Sequence, residues 1–275
     1  MLNFLKRSFS KKKARRVTQE YSYKIDNFLL RDEGEIQFAN WLNPLVKHKT
    51  ITQSEINFYK RFIKKGDLVV DIGANIGDTT VPMGLAAGKE GLTLGFDPNP
   101  YVFKILEANS KLNSGKANII PLPYAITEKE SEFFYNSSEA SFANGGIQEI
   151  DKGYHGKYSL QQKIKGIRLS DFLRANYPEQ MDKLSFIKVD AEGLDSTILK
   201  SIKDLIEIYK PLVIAECFTK STNEERYDLF NTVALPGYKV YKFDDFDENA
   251  PVTLISNKEE MTNWKTFNLY AEYSA

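Results

Sequence analysis

Acidic residues at the ends of apolar runs, a glycine-punctuated turn and a loop histidine are the groups whose types and spacing could do chemistry. The run Leu68-Val69-Val70 ends in Asp71, and the turn after it carries Gly73, Asn75 and Gly77. Small residues there let the backbone pass close to a bound molecule before a helix begins. Twenty residues past Gly77, Asp97 closes a second run over residues 92–96. An acid at that distance accepts hydrogen bonds from ribose hydroxyls in open α/β folds. A third run, residues 184–189, delivers Asp190 and Glu192, and a fourth, residues 211–215, delivers Glu216. His155 lies in a long Ser-, Asn- and Gly-rich stretch over residues 136–159, where an imidazole titrating near neutral pH could serve as a general base.

The turn also bears on which ligand it holds. A dinucleotide needs G-x-G-x-x-G, because its pyrophosphate rests on bare backbone at a helix N-terminus. Here Asn75 stands at the second glycine position, and Asp71 would repel a phosphate. S-adenosylmethionine has no phosphate and carries an ammonium that a carboxylate attracts. Asp71, Gly73, Asn75, Gly77 and Asp97 are therefore the expected cofactor-binding residues. An NAD-dependent oxidoreductase is the alternative enzyme, and a module that binds the cofactor without turnover is the non-enzymatic alternative. Methyl transfer requires alignment of the acceptor oxygen and removal of its proton. Asp190 and Glu192 are the expected bases, with His155 a third candidate. Metal-free catalysis is the favoured reading; were Mg²⁺ used, Asp190 and Glu216 would hold it, since neighbouring strands run about 4.8 Å apart.

These groups need a scaffold that brings several strand ends to one edge. Continuous Val/Leu/Ile runs read as parallel strands covered on both faces. Residues 78–87 and 101–112 read as the crossover helices between them, and residues 197–206 as a further helix. The expected fold class is α/β and Rossmann-like, a mostly parallel central sheet with helices on both faces. Strands at residues 131–135 and 163–168 frame a hairpin-like insertion, and the loop between them is expected to act as an acceptor-binding lid. Residues 20–65 read as a helical cap. Its signal is Thr52-Gln53-Ser54-Glu55, a capping box heading a helix through Ile63. The expected organisation is a basic extension and cap over residues 1–50 and a catalytic domain over residues 51–275.

As a set these segments resemble the FkbM family of S-adenosylmethionine-dependent methyltransferases. The resemblance rests on Val70-Asp71-Ile72-Gly73-Ala74-Asn75-Ile76-Gly77, on Phe96-Asp97-Pro98-Asn99-Pro100, on Ile187-Lys188-Val189-Asp190-Ala191-Glu192-Gly193 with Leu199, and on a closing Asn268-Leu269-Tyr270-Ala271. It implies a class I methyltransferase fold acting on oxygen of a sugar, glycan or related metabolite, with the adenine edge against backbone near Ala125. Asp97 and Asp195 stand where many relatives carry Glu; either acid can accept from a ribose diol or favour a helix N-terminus.

Composition bounds the remaining possibilities. With 275 residues, 42% of them hydrophobic, the chain can bury one substantial core. A lone cysteine, Cys217, suits packing rather than an internal disulfide. No run approaches the ~18 apolar residues of a membrane span, and a cytoplasmic location is expected. Formal charge is zero but unevenly placed. Residues 6–16 hold seven bases and no acid, leaving 30 bases against 37 acids elsewhere. The body therefore offers no broad basic face for nucleic acid. The arm itself, with Leu2, Phe4, Leu5 and Phe9 interleaved, reads first as a solvated tail and second as a contact for an anionic membrane surface or RNA.

Overall fold

The computed structural model describes residues 2–149, 156–191 and 193–274, so the candidates His155 and Glu192 lie outside the described residues. Its core is an eight-stranded sheet, here numbered β1 Leu68–Ile72, β2 Leu92–Phe96, β3 Ile119–Leu122, β4 Leu184–Val189, β5 Leu212–Cys217, β6 Tyr238–Phe243, β7 Val252–Ile255 and β8 Phe267–Tyr273. The spatial order is β7-β6-β8-β5-β4-β1-β2-β3. The five strands from β3 to β5 are parallel, and β8, β6 and β7 complete the sheet antiparallel. The chain winds outward from β1 to β3 and then restarts beside β1 at β4. Strand direction of winding reverses between β1 and β4, and a crevice opens at their carboxyl ends.

Helices cover both faces, as the two-sided apolar runs require. They are α1 Leu2–Ala14, α2 Gln53–Lys60, α3 Thr80–Ala87, α4 Pro100–Leu112, α5 Leu169–Asn176, α6 Asp195–Ser201, α7 Lys203–Tyr209 and α8 Asn223–Val233. Alternation along each strand splits the core. Val70, Ile187 and Val213 pack with Leu173, Leu199 and Leu229 on one face. On the other, Val69, Phe186 and Ile214 meet Phe58, Tyr59 and Met83. Among the described residues, no helix is long and apolar enough to cross a membrane.

The region before β1 differs from the expected helical cap. Tyr23–Leu30 and Gly34–Trp41 form an antiparallel hairpin, its turn closed by Gly34 at φ +69°. Ile36, Phe38 and Trp41 are buried against Val81, Val102 and Ile105, and the Asn109 side chain accepts from the Ala39 amide at 2.6 Å. The hairpin thus shares a core with α3 and α4. The helix that follows stops at Lys60, and half of the expected capping box forms: Thr52 accepts from the Glu55 amide at 3.1 Å. The Glu55 carboxylate turns instead to Lys49, 2.5 Å away. The reciprocal box forms at Thr222 and Glu225, heading α8. The helix expected over residues 197–206 is broken at Ile202 into α6 and α7.

The insertion is built as expected. Ile164 pairs antiparallel with Phe133, and the intervening segment returns as short strands, Gly146–Gln148 and Tyr158–Ser159, against Ser131–Ser137.

Candidate active site

At the carboxyl ends of β1, β2 and β4 lies a cleft open to solvent, where ligands bind in open α/β sheets. Its wall takes Gly73 and Asn75 from the turn after β1, Asp97 and Asn99 from the segment after β2, Ala125 from the insertion and Asp190 from the end of β4. Ala143 to Ile147, part of the loop expected to be a lid, closes one side.

The turn after β1 owes its shape to three residues at positive φ, Gly73, Asn75 and Gly77. Gly73 has φ +80°, and a Cβ there would stand 1.9 Å from the Asp190 carbonyl oxygen. Only glycine lets the ends of β1 and β4 close to this distance. Asn75 has φ +46°, a conformation that asparagine tolerates better than most residues, and its Oδ1 accepts from the Ile76 amide at 2.8 Å. The Asn75 amide donates to Asp97 Oδ2 at 2.8 Å, and the Asn99 amide to Asp97 Oδ1 at 2.8 Å. One lone pair on each Asp97 oxygen remains. Burial outweighs these two N–H groups and pushes the Asp97 carboxyl up to about 7. Gly77 departs from the expectation. It is absent from the cleft wall, and at φ +91° a Cβ would meet Leu106 Cδ1 at 3.1 Å, so its smallness serves packing under α4.

Asp71 is also placed differently from the sequence reading. Strand alternation turns its side chain under α3, away from the cleft wall, where it is fully buried. Thr79 and Thr80 hydroxyls donate to Oδ2 at 3.0 and 2.6 Å, and Lys188 lies 3.5 Å from Oδ1. The carboxylate that does reach the wall after β1 is Asp78. No salt bridge within 4.0 Å holds it among the described residues. Burial is the main cause that raises its pKa, opposed by Lys49 and Lys188 and reinforced by Asp71.

Lys188 was not singled out from the sequence as a site residue, although a lysine inside an apolar strand signals a buried counter-ion. It sits on β4 in register with Asp71, is 4% exposed, and bridges Asp71 and Asp190, the latter at 3.3 Å. Burial opposes its charge, but Asp190, Asp71 and Asp78 outweigh that cost and its pKa is raised. The Asp190 side chain is 44% exposed and faces the cleft. Glu216, expected beside it, does not line the cleft. Among the described residues no group of three or more His, Cys, Asp or Glu side chains is arranged to hold a metal ion, and the Asp190 partner is an ammonium. Asp195 accepts from the Ala191 and Gly193 amides at 3.4 and 3.3 Å. Burial first, then Asp190, raises its carboxyl to about 6.

Asn99 is a second residue missed as a contributor. Its side chain caps α4 by accepting from Tyr101, while Nδ2 donates to the Tyr135 hydroxyl at 3.1 Å and to the Phe142 carbonyl at 2.8 Å. It ties the floor of the cleft to the insertion. An Asn directly before a proline at a helix start is the signal that could have found the cap. Cys217 is buried, and burial raises its thiol to about 11, in keeping with packing.

Residues 71–248 match the family described as Methyltransferase FkbM domain. No curated protein matches the chain. Among solved structures it is similar to methyltransferase FkbM from Methylobacillus flagellatus KT at 15% identity and TM-score 0.46, covering 78% of this chain and 50% of that one. This chain therefore spans half the length of that protein. It is also similar to an S-adenosylmethionine-dependent O-methyltransferase from Thermotoga maritima, at 11% identity and TM-score 0.43 over 92% of this chain and 78% of that one. A third similar structure, TYW2 from P. horikoshii in complex with MeSAdo, has 14% identity and TM-score 0.42 over 93% and 73%.

Proposed function

This chain belongs to the methyltransferase FkbM domain family, and from that premise we propose that it transfers a methyl group from S-adenosylmethionine to a hydroxyl of a sugar, glycan or small metabolite. The observation that carries the reading is the charge of the cleft. Asp78 and Asp190 stand on its wall with Asp97, whose carboxyl is only partly ionised at neutral pH, and Lys188 is the one cation there among the described residues, already paired. S-adenosylmethionine brings two positive groups against one carboxylate, and such a surface attracts it. A diphosphate would meet repulsion, which weighs against a nicotinamide dinucleotide, as does a side chain at Asn75.

The remaining lone pairs of Asp97 suit a ribose diol, and the backbone around Ala125 suits an adenine edge. Asp78 faces the cationic part of the ligand. When bound, the cofactor supplies a methyl carbon made electrophilic by its sulfonium. Asp190 takes the proton of the acceptor hydroxyl as that oxygen gains the methyl group, and Lys188 fixes the carboxylate for the purpose. Such base assistance contributes roughly 10²–10⁴-fold in rate.

A screen of a glycan and metabolite library with isotopically labelled cofactor tests the reading, and a product heavier by one labelled methyl is expected. Calorimetric preference for NAD over S-adenosylmethionine would sink it. Tight cofactor binding with no product on any acceptor would favour the non-enzymatic alternative.

A further inference from the structure

The basic arm ends against a groove that contains a buried donor with no acceptor. The last turn of α1 is Lys11-Lys12-Lys13, followed by Arg15 and Arg16. Ala14 is wholly buried and pins this end to the body, while Lys12, Lys13 and Arg16 are exposed and Phe9 is 71% exposed. Lys11 lies over a groove whose other walls are residues 42–48, among them Asn43, Lys47 and His48. Neither Lys11 nor Lys47 has a carboxylate partner among the described residues. Asn43 is 2% exposed. Its Oδ1 accepts from the Leu45 amide at 3.0 Å, which leaves Nδ2 as the donor, and Nδ2 has no partner. A buried donor left unsatisfied costs about 1–3 kcal/mol, so this corner of the groove carries local strain of its own. Two ammonium groups on the groove wall with no acid beside them favour an anionic partner.

Two further observations say where that anion sits. Leu42, 40% exposed, places a large apolar side chain on the groove wall, and Phe9 stands 71% exposed on the helix face that also carries Lys12 and Lys13, with Arg16 in the turn beyond; a free anion in water has no use for either. The rest of the chain carries a net negative charge, so the basic face is confined to this end. We propose that the exposed face of α1 and the groove beside it dock the protein on an anionic phospholipid surface, headgroup phosphates meeting Lys12, Lys13 and Arg16 along the helix and its following turn and Lys11 and Lys47 at the groove, while Phe9 and Leu42 meet the acyl boundary. The docking face is joined to the cleft. The Ala140 amide donates to the Arg15 carbonyl at 3.3 Å, Arg15 lies 3.7 Å from Glu139, and the same loop continues into Phe142 and the cleft wall at Ala143.

The test is co-sedimentation of the full chain with vesicles of phosphatidylcholine alone and of phosphatidylcholine mixed with phosphatidylglycerol in equal parts. Retention on the mixed vesicles only is expected, weakening with salt. Replacing Lys11, Lys12 and Lys13 by Gln is expected to lower partitioning by roughly fivefold per lysine, from about 1 kcal/mol per basic residue at an anionic surface. Phe9→Ser should lower it at unchanged charge. Circular dichroism and cofactor calorimetry of the same variants serve as fold controls. Equal retention on both vesicles, none on either, or indifference to the lysine substitutions would overturn the proposal. So would displacement by inorganic phosphate at parity with lipid phosphate, which marks a soluble-anion site, or preferential capture by an RNA oligomer.

Discussion

Asp78→Asn removes one negative charge from the cleft wall with little change of shape, and its effect separates cofactor from product. S-adenosylmethionine has net charge plus one; S-adenosylhomocysteine, without the sulfonium, is neutral overall. A ligand cation facing this carboxylate is taken at about 6 Å, the outer edge of the range over which a neighbouring charge acts strongly on a carboxyl group. At that separation and an effective dielectric of about 20, one charge pair is worth about 3 kcal/mol, and screening at physiological salt brings it nearer to 1 kcal/mol. The variant is thus expected to bind S-adenosylmethionine between roughly fivefold and a hundredfold more weakly, with a much smaller change for the product. Paired calorimetric titrations read both constants. Because burial raises the Asp78 pKa, the wild-type preference for the cation should widen as pH rises, and the variant should lose that dependence. Equal losses for both ligands, or no loss for either, would refute the electrostatic account.

Asp97→Ala should weaken cofactor binding by about 1–3 kcal/mol, the cost of losing a buried hydrogen-bond partner; unchanged affinity in calorimetry removes the ribose role. Asp190→Asn is expected to lower kcat by roughly a hundredfold or more and cofactor affinity far less, and steady-state kinetics beside binding data will reveal equal losses if Asp190 only binds. Asp195 offers a pH test. Its carboxyl, raised to about 6, lends stability that is full below about pH 4 and lost as pH rises through 6. Asp195→Asn should therefore gain on the wild type by about 1–3 kcal/mol across that window, and parallel denaturation profiles from pH 4 to 7 would contradict this.

The parallel strands were legible because runs such as Leu68-Val69-Val70 are apolar on both faces, and the places of Asp97 and Asp190 on the cleft wall because this architecture gathers strand ends at one edge. What the residues did not reveal is which face each side chain takes. Asp71 looks like a ligand group from its place at the end of a run, yet it shares a face with Val69 and Phe186 and is committed beneath α3. Asp78, read as the first residue of a helix, emerges instead on the wall. Lys188 becomes meaningful only once the register sets it opposite Asp71. Gly77 carries the same letter as Gly73, but tertiary packing gives the two different tasks. The hairpin at residues 23–41 differs from the expected helix because its period-two pattern, Ile36 and Phe38, is short and gains meaning only from the core of α3 and α4 that buries it.

The contact between Gly73 and Asp190 has a consequence for anyone who reshapes this enzyme. Because the Asp190 carbonyl occupies the place of a missing methyl, a bulkier residue at Gly73 would pry apart adjoining strands and displace Asp190, the base in the proposed reaction, with them. On the proposed roles, engineering of nucleoside affinity at that position is mechanically geared to proton abstraction, and variants selected for one trait should drift in the other.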